Sequence, residues 1–360
     1  MHYASCSLLP ASRQPALFGL AALGLLSLTA LPAHAQTQDL FVSNQFNNTI
    51  SRFVGTGPGT LSTTATTLSD PSRYLSTPQG VAFDTRGDLF AANFSSGFIT
   101  EFAAGATPGT LGPGKFALND GSQNAPGGLA FDPFGNLFVA NVHGNSITEF
   151  AAGTTPGTFG TGTVILTNSG LSYPIGLAID ARGDLFVANG KGDTISEFAA
   201  GTTPGTFGTP TLLTGGGLAE PCDLAFDAHG NLFTSNLLGT TITEFAFNPG
   251  AGTFGSGITA AAGLNSPSGM AFDATGDLFV GSFYGGTITK LAAGATPGTF
   301  GAGTVVETGV TGPAFLAFGP SPLPFAPVPE ASTTVSLGLL LALGLGGVVV
   351  ARRRKTVNAA

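Results

Sequence analysis

The stretch Pro126-Gly127-Gly128-Leu129-Ala130-Phe131-Asp132-Pro133-Phe134-Gly135-Asn136-Leu137-Phe138-Val139-Ala140-Asn141, followed after a short loop by Ile147-Thr148-Glu149-Phe150, decides the fold. Gly128 to Asp132 reads as a short apolar strand, and Pro133-Phe134-Gly135 as a tight turn that Asp132 is placed to cap through its carboxylate. Leu137 to Asn141 is a second strand. Ile147 to Phe150 is a third, with Ile147 and Glu149 on one face and Thr148 and Phe150 on the other. Thr155-Pro156-Gly157-Thr158 makes another turn, and Thr163 to Thr167 is a Thr-rich fourth strand. Four antiparallel strands in about 48 residues make one propeller blade.

The unit repeats along the chain. Its Asp/Asn-Leu-Phe phrase begins at Asp39, Asp88, Asn136, Asp184, Asn231 and Asp277, at spacings of 49, 48, 48, 47 and 46. A second phrase, Pro-x-Gly-apolar-Ala-Phe/Ile-Asp, begins at Pro78, Pro126, Pro174, Pro221 and Pro267, with a truncated copy at Pro313 to Phe318. The two phrases are out of phase at the ends, so the chain enters at the second strand of a blade and leaves after the first strand of one. Pairing Pro313–Phe318 with the strands between Asp39 and Leu68 would complete that blade. The expected fold is therefore all-β: a six-bladed β-propeller of four-stranded antiparallel blades over residues 36–320, closed by its N- and C-terminal strands. Closure removes sheet edges that invite aggregation, and each blade needs two neighbours to bury its Phe and Leu side chains.

These units resemble NHL-type repeats, whose pattern is Pro-x-Gly-apolar-Ala-apolar-Asp, then Gly-Asn-Leu-apolar-Val-Ala-Asp/Asn, then an Ile-containing strand. The likeness spans residues 39–318. Kelch glycine pairs with Tyr and Trp are missing, and so is the calcium-binding nonapeptide of parallel β-helices.

Composition agrees. The chain has 55 Gly, 24 Pro and only 9% charged residues, which disfavours long charge-faced helices and favours turn-rich β structure. With 42% hydrophobic residues and 30 Phe, disorder is excluded, and the absence of Trp counts against WD-type repeats. The net charge is −8, and between Gln36 and Val328 there are 7 Lys and Arg against 19 Asp and Glu. Such a body repels phosphate backbones, so no nucleic-acid partner is expected. Cys6 lies in the leader and leaves Cys222 alone in the body, read as a small buried apolar residue.

Both ends read as addresses. Arg13, an apolar run from Ala16 to Leu31, and small residues Ala33 and Ala35 mark residues 1–35 as a secretory signal peptide cleaved after Ala35. A Pro-rich linker at 321–327 leads to Val328, Pro329 and Glu330, then to an apolar segment read as a transmembrane helix over 333–351. Arg352, Arg353, Arg354 and Lys355 follow as a basic stop that stays cytoplasmic with the tail 356–360. Residues 328–355 resemble the PEP-CTERM sorting signal of Gram-negative bacteria, with Ala331 replacing the second Pro of the usual Val-Pro-Glu-Pro. The resemblance implies an exosortase-type membrane protease as partner. It also implies an inner-membrane-anchored precursor and delivery to the cell surface or extracellular matrix.

Candidate sites come from aligning the copies. In this strand order, the loops before the first strand and those between the second and third open on one face. The position ending the second strand reads Asn44, Asn93, Asn141, Asn189, Asn236 and Ser282, a uniformity expected of a structural hydrogen bond closing each loop. The next two positions vary in chemistry, as a specific contact surface does. They supply Phe46, Phe94, His143, Lys191, Phe283 and Tyr284 as ligand-face candidates; Phe94, Phe283 and Tyr284 suit stacking on sugar rings or packing on a protein. The odd copy at Glu220-Pro221-Cys222-Asp223 gives a metal candidate, Asp223 with Asn189 and Asn236. Arg52 and Lys290 replace the Glu of the other copies at one strand position and are expected to form cross-blade ion pairs at the ring closure.

The expected function is an exported, non-catalytic binding or structural module for polysaccharide or protein, monomeric and without a cofactor. The alternative is a metal-dependent hydrolase or lyase, because gluconolactonase-like and streptogramin-lyase-like propellers resemble this fold and place one asymmetric site at the channel mouth.

Overall fold

The computed structural model describes residues 38–107, 109–119 and 125–319. The expected signal peptide, linker, sorting motif, transmembrane helix and basic tail lie outside them. Among the described residues no helix is long and apolar enough to cross a membrane.

Six four-stranded antiparallel sheets follow one another along the chain. Blade 1 comprises Pro313–Phe318, Leu40–Asn44, Thr49–Gly57 and Thr60–Thr67 in spatial order; blade 2 comprises Pro78–Phe83, Leu89–Asn93, Phe98–Phe102 and Lys115–Asn119. Blade 3 comprises Pro126–Phe131, Leu137–Asn141, Ser146–Phe150 and Thr163–Thr167, and blade 4 comprises Pro174–Ile179, Leu185–Asn189, Thr194–Phe198 and Thr211–Leu213. Blade 5 uses Pro221–Phe226, Leu232–Asn236, Ile242–Phe245 and Ile258–Ala261, with a small extra hairpin of Phe247–Asn248 and Thr253–Phe254. Blade 6 uses Pro267–Phe272, Leu278–Ser282, Thr287–Leu291 and Thr304–Thr308. The ring closes as the phase mismatch predicts: Leu40 lies opposite Phe318, Phe41 opposite Ala317 and Val42 opposite Leu316.

The Pro-x-Gly phrase has a packing reason. A β-carbon built on Gly128 would lie 2.6 Å from the Ile175 carbonyl oxygen and 2.9 Å from the Leu177 nitrogen. Those at Gly80 and Gly176 would meet the backbone of Gly127 and Cys222 in the same way. At these glycines neighbouring first strands touch backbone to backbone, and a side chain there has only rigid main chain to displace; the same position is Asp223 in blade 5 and Phe315 in blade 1.

Phenylalanine fills the spaces between blades. The Phe of each Asp/Asn-Leu-Phe phrase, from Phe41 to Phe279, is at most 1% exposed. Most meet, edge to face, the aromatic ring that ends the next blade's first strand: Phe41 with Phe83 at 5.1 Å, Phe186 with Phe226 at 5.3 Å, and Phe279 with Phe318 at 5.1 Å. The last pair spans the closure. The hairpin between the third and fourth strands adds another ring, as with Phe207 against Phe138 at 5.7 Å.

The Asp or Asn of the same phrase holds its own blade. Asp88, Asn136, Asp184, Asn231 and Asp277 each accept, through Oδ1, the backbone N–H sixteen residues later, and Asp39 does so from Gly55. Only the oxygen is needed, so either residue serves.

The basic sector at the closure is arranged differently from the expectation. Arg52 pairs with Asp39 at 2.5 Å and Lys290 with Asp277 at 2.5 Å, each inside its own blade, because the strand-two carboxylate lies beside the strand-three cation. What crosses the closure is a hydrogen bond from Lys290 Nζ to the Gly59 carbonyl at 2.7 Å.

Candidate functional site

The face formed by the loops between second and third strands is built on a repeated backbone strap. The residue before each first-strand Pro has positive φ: Thr77 54°, Ala125 56°, Tyr173 57°, Glu220 50°, Ser266 46° and Gly312 62°. Proline disfavours the right-handed helical region for its predecessor, and the left-handed region is costly for a residue with a side chain. A hydrogen bond holds each one: its carbonyl accepts from the residue after the strand-ending Asn or Ser, as from Gly190 N to Tyr173 O at 3.0 Å and Phe283 N to Ser266 O at 3.0 Å.

Asn44, Asn93, Asn189 and Asn236 lock the strap through their side-chain oxygens, as the uniformity of this position predicts; among the described residues the Asn141 Oδ1 finds no partner. Asn189 is buried; its Nδ2 donates to Thr194 Oγ1 at 3.2 Å and Ser196 Oγ at 2.8 Å, and its Oδ1 accepts from Ser172 N at 3.0 Å. Asn236 does the same with Thr241, Thr243 and Ala219 N. In blade 6, Ser282 donates instead to the Asn265 carbonyl at 2.6 Å.

Asp223, the third member of the metal candidate, sits at the ring centre and is 5% exposed. Its Oδ1 accepts from Leu224 N and its Oδ2 from Met270 N of blade 6, both at 2.8 Å. All three candidate residues thus have their side-chain oxygens engaged by backbone amides. Burial pushes the Asp223 carboxyl up to about 7, against the pull of its two amide hydrogen bonds. Next to it, burial raises the thiol pKa of Cys222, which is free and buried as expected.

On this strapped rim the ligand-face candidates form two groups. In blades 6 and 1, Phe283 stacks edge to face with Phe46 at 5.1 Å and with Tyr284 at 5.1 Å. Phe46 is 62% exposed, Tyr284 69%, and Leu238 of blade 5 is 72%, so these rings and the Leu present apolar surface to water. In blades 2 to 4, Phe94 meets His143 at 5.2 Å, His143 meets Tyr173 at 5.9 Å, and Lys191 Nζ lies 4.2 Å over the Tyr173 ring. Burial, then the nearby Glu220, raises the pKa of the Tyr173 hydroxyl.

Sequence comparison missed Tyr173. The signal was available, since Tyr173 is the lone aromatic among the residues preceding the first-strand Pro. Leu238 belongs to the variable position but was not singled out.

Between the two groups the axis is filled. Ile175, Cys222, Ala314 and Phe315 form one buried cluster, with Tyr173, Leu237 and Phe283 packed against it. At the opposite mouth a depression of about 400 Å³ is lined by Phe83, Phe131, Ile179 and the turn residues Asp84, Asp132 and Asp180. Those carboxylates cap their turns: Asp132 Oδ1 accepts from Phe134 N and Asn136 N, and Asp180 Oδ1 accepts from Arg182 N and Asp184 N. Among the described residues no three His, Cys, Asp or Glu side chains converge closely enough to share a metal ion.

Solved structures with this architecture bind and catalyse in unrelated ways. A chain of a nidogen/laminin complex superposes with a TM-score of 0.60 at 18% identity, covering 79% of this chain and 99% of that one. A streptogramin B lyase gives 0.56 at 13% identity, over 79% of this chain and 88% of the lyase. The periplasmic gluconolactonase of Pseudomonas aeruginosa gives 0.55 at 16% identity, over 79% and 99%. The likeness is one of fold. No protein-family model matches the chain, and no curated protein does.

Proposed function

We propose that this chain is a non-catalytic binding module whose strapped, aromatic face takes a polysaccharide or a protein. The observation that carries the reading is the exposed group of Phe46, Leu238 and Tyr284, backed by half-buried Phe283, over an axis packed with apolar side chains. Water-facing aromatics held by their own stacking are stiff and large, which lowers the entropy cost of contact with a sugar ring or an apolar protein surface. Replacing both Phe46 and Tyr284, the two largely exposed rings, by Ala is expected to weaken retention on the cognate polysaccharide or surface partner at least tenfold, with little change in melting temperature. Unchanged retention would overturn the reading.

A hydrolase or lyase is the second reading. It is favoured by the stack of His143, Tyr173 and Lys191, which groups titratable side chains on the same rim. It requires turnover that a His143→Ala variant abolishes.

The address follows from the ends. We propose export, anchoring through the apolar segment, cutting by an exosortase-type protease at Val328-Pro329-Glu330, and residence at the surface or in the matrix of a Gram-negative bacterium. Intact mass spectrometry of the mature protein is expected to find neither residues 1–35 nor the cluster Arg352 to Lys355. Mature protein that retains the cluster would sink this part.

A further inference from the structure

On the face opposite the aromatic one, the turn after each blade's third strand leans on the preceding blade. Its positive-φ glycine is Gly59, Gly109, Gly157, Gly205, Gly252 or Gly298. Beneath four of these six turns stands a cation of the preceding blade. Arg52, paired with Asp39, lies under Gly109, and Arg86, paired with Asp84 and Asp88, lies under Gly157. Arg182, paired with Asp180 and Asp184, donates to the Gly252 carbonyl at 2.7 Å. Lys290 makes the matching bond to the Gly59 carbonyl.

The remaining two junctions have the anion without the cation. A β-carbon added at Gly205 would fall on the Glu149 carboxylate, and one at Gly298 on the Glu244 carboxylate. The turn position that is Arg86 in blade 2 and Arg182 in blade 4 is Phe134 in blade 3 and His229 in blade 5. His229 is largely exposed and stands 3.6 Å from Asp227.

Glu244 is 6% exposed, and among the described residues no hydrogen bond or ion pair reaches its carboxylate. Burial, then the charge of Asp227, raises its pKa; burial and Asp132 do the same to Glu149. Beside the Glu149 junction a cleft of about 310 Å³ opens between Asp132, Phe134, the Gly205 turn and Arg182, whose guanidinium is taken by Asp180 and Asp184. A guanidinium would fill such a space, as Arg86 does in the junction before it.

We propose that a partly hydrated divalent cation of the calcium class occupies the junction of blades 5 and 6. It would be held by the Glu244 carboxylate and the Gly298 carbonyl, the group that Gly59 and Gly252 offer to Lys290 and Arg182 in the matching junctions. Glu149 beneath Gly205 forms the second copy. The donors are hard oxygens, which suit calcium rather than zinc. With so few protein carboxylates the affinity falls in the range of roughly 0.1–1 mM typical of extracellular modules.

The test is thermal melting of the full-length chain in EDTA and in about 10 mM calcium chloride, a concentration chosen to saturate that range. Calcium is expected to raise the melting temperature by about 5 °C. The Phe134→Arg/His229→Arg variant supplies both missing guanidinium groups. It is expected to melt above the parent in EDTA and to ignore calcium. Glu149→Gln/Glu244→Gln, which needs no new packing, is also expected to lose the response. A parent chain indifferent to calcium overturns the proposal, as does a full response in the Arg or the Gln variant.

Discussion

A chain ending at Gly312 is expected to lose cooperative folding altogether. The missing strand, Pro313–Phe318, supplies Ala314, Phe315 and Leu316, each 5% exposed, and it covers Leu40, Phe41 and Val42 of the N-terminal strand. It also provides Phe318, the edge-to-face partner of Phe279 across the closure. At about 1.5–3 kcal/mol per large apolar side chain, losing Phe315 and Leu316 and uncovering their neighbours amounts to about 10 kcal/mol. Whole domains are stable by only about 5–15 kcal/mol. Urea unfolding followed by circular dichroism should show a broad, non-cooperative loss of signal where the parent shows a single transition. A sharp transition with the parent's denaturant dependence would mean that the ring stands open without its closing strand.

The second large effect is a pH dependence centred on Asp223. Its folded value of about 7 lies above the ordinary 3.8, so between these limits the folded chain holds a proton that the unfolded chain has released. The contribution to stability is therefore complete below about pH 4, falls as pH rises towards 7, and is flat beyond. At about 1.4 kcal/mol per pH unit, the total is about 4 kcal/mol. Glu149, Glu197, Glu220, Glu244 and Glu307 are raised by burial and add to the same trend. Asp277 opposes it: burial pushes its carboxyl up, but Lys290 holds it below the usual value, so its contribution is lost on acidification. In urea titrations from about pH 4.5 to pH 8, the parent midpoint should fall and that of Asp223→Asn should change much less. Parallel curves would remove Asp223 as the cause.

The candidate face was only partly legible in the sequence. Phe46, Phe94, His143, Lys191, Phe283 and Tyr284 were found because aligned copies expose the position that varies. Aligned copies say nothing of which neighbours those side chains meet. Tyr173 joins His143 and Lys191 from the loop entering the next blade, and its placement depends on the left-handed backbone before Pro174. Asp223 looked like a ligand because it was the odd residue of its column. Its partner, Met270 N, lies forty-seven residues away in the next blade.

The sequence by itself determined the number of blades, the strand order within each, and the closure by Pro313–Phe318. These follow from local periodicity and from the phase of two phrases, and both are properties of one chain read in order. Only the tertiary structure decided what happens between blades: the backbone contact that demands Gly80, Gly128 and Gly176, the use of Asp223 as a cross-blade acceptor, and the bond from Lys290 to the Gly59 carbonyl. The physical reason is distance along the chain. Neighbouring blades meet through residues about one repeat apart, and which atoms touch is fixed by the twist of the sheets and the closing of the ring.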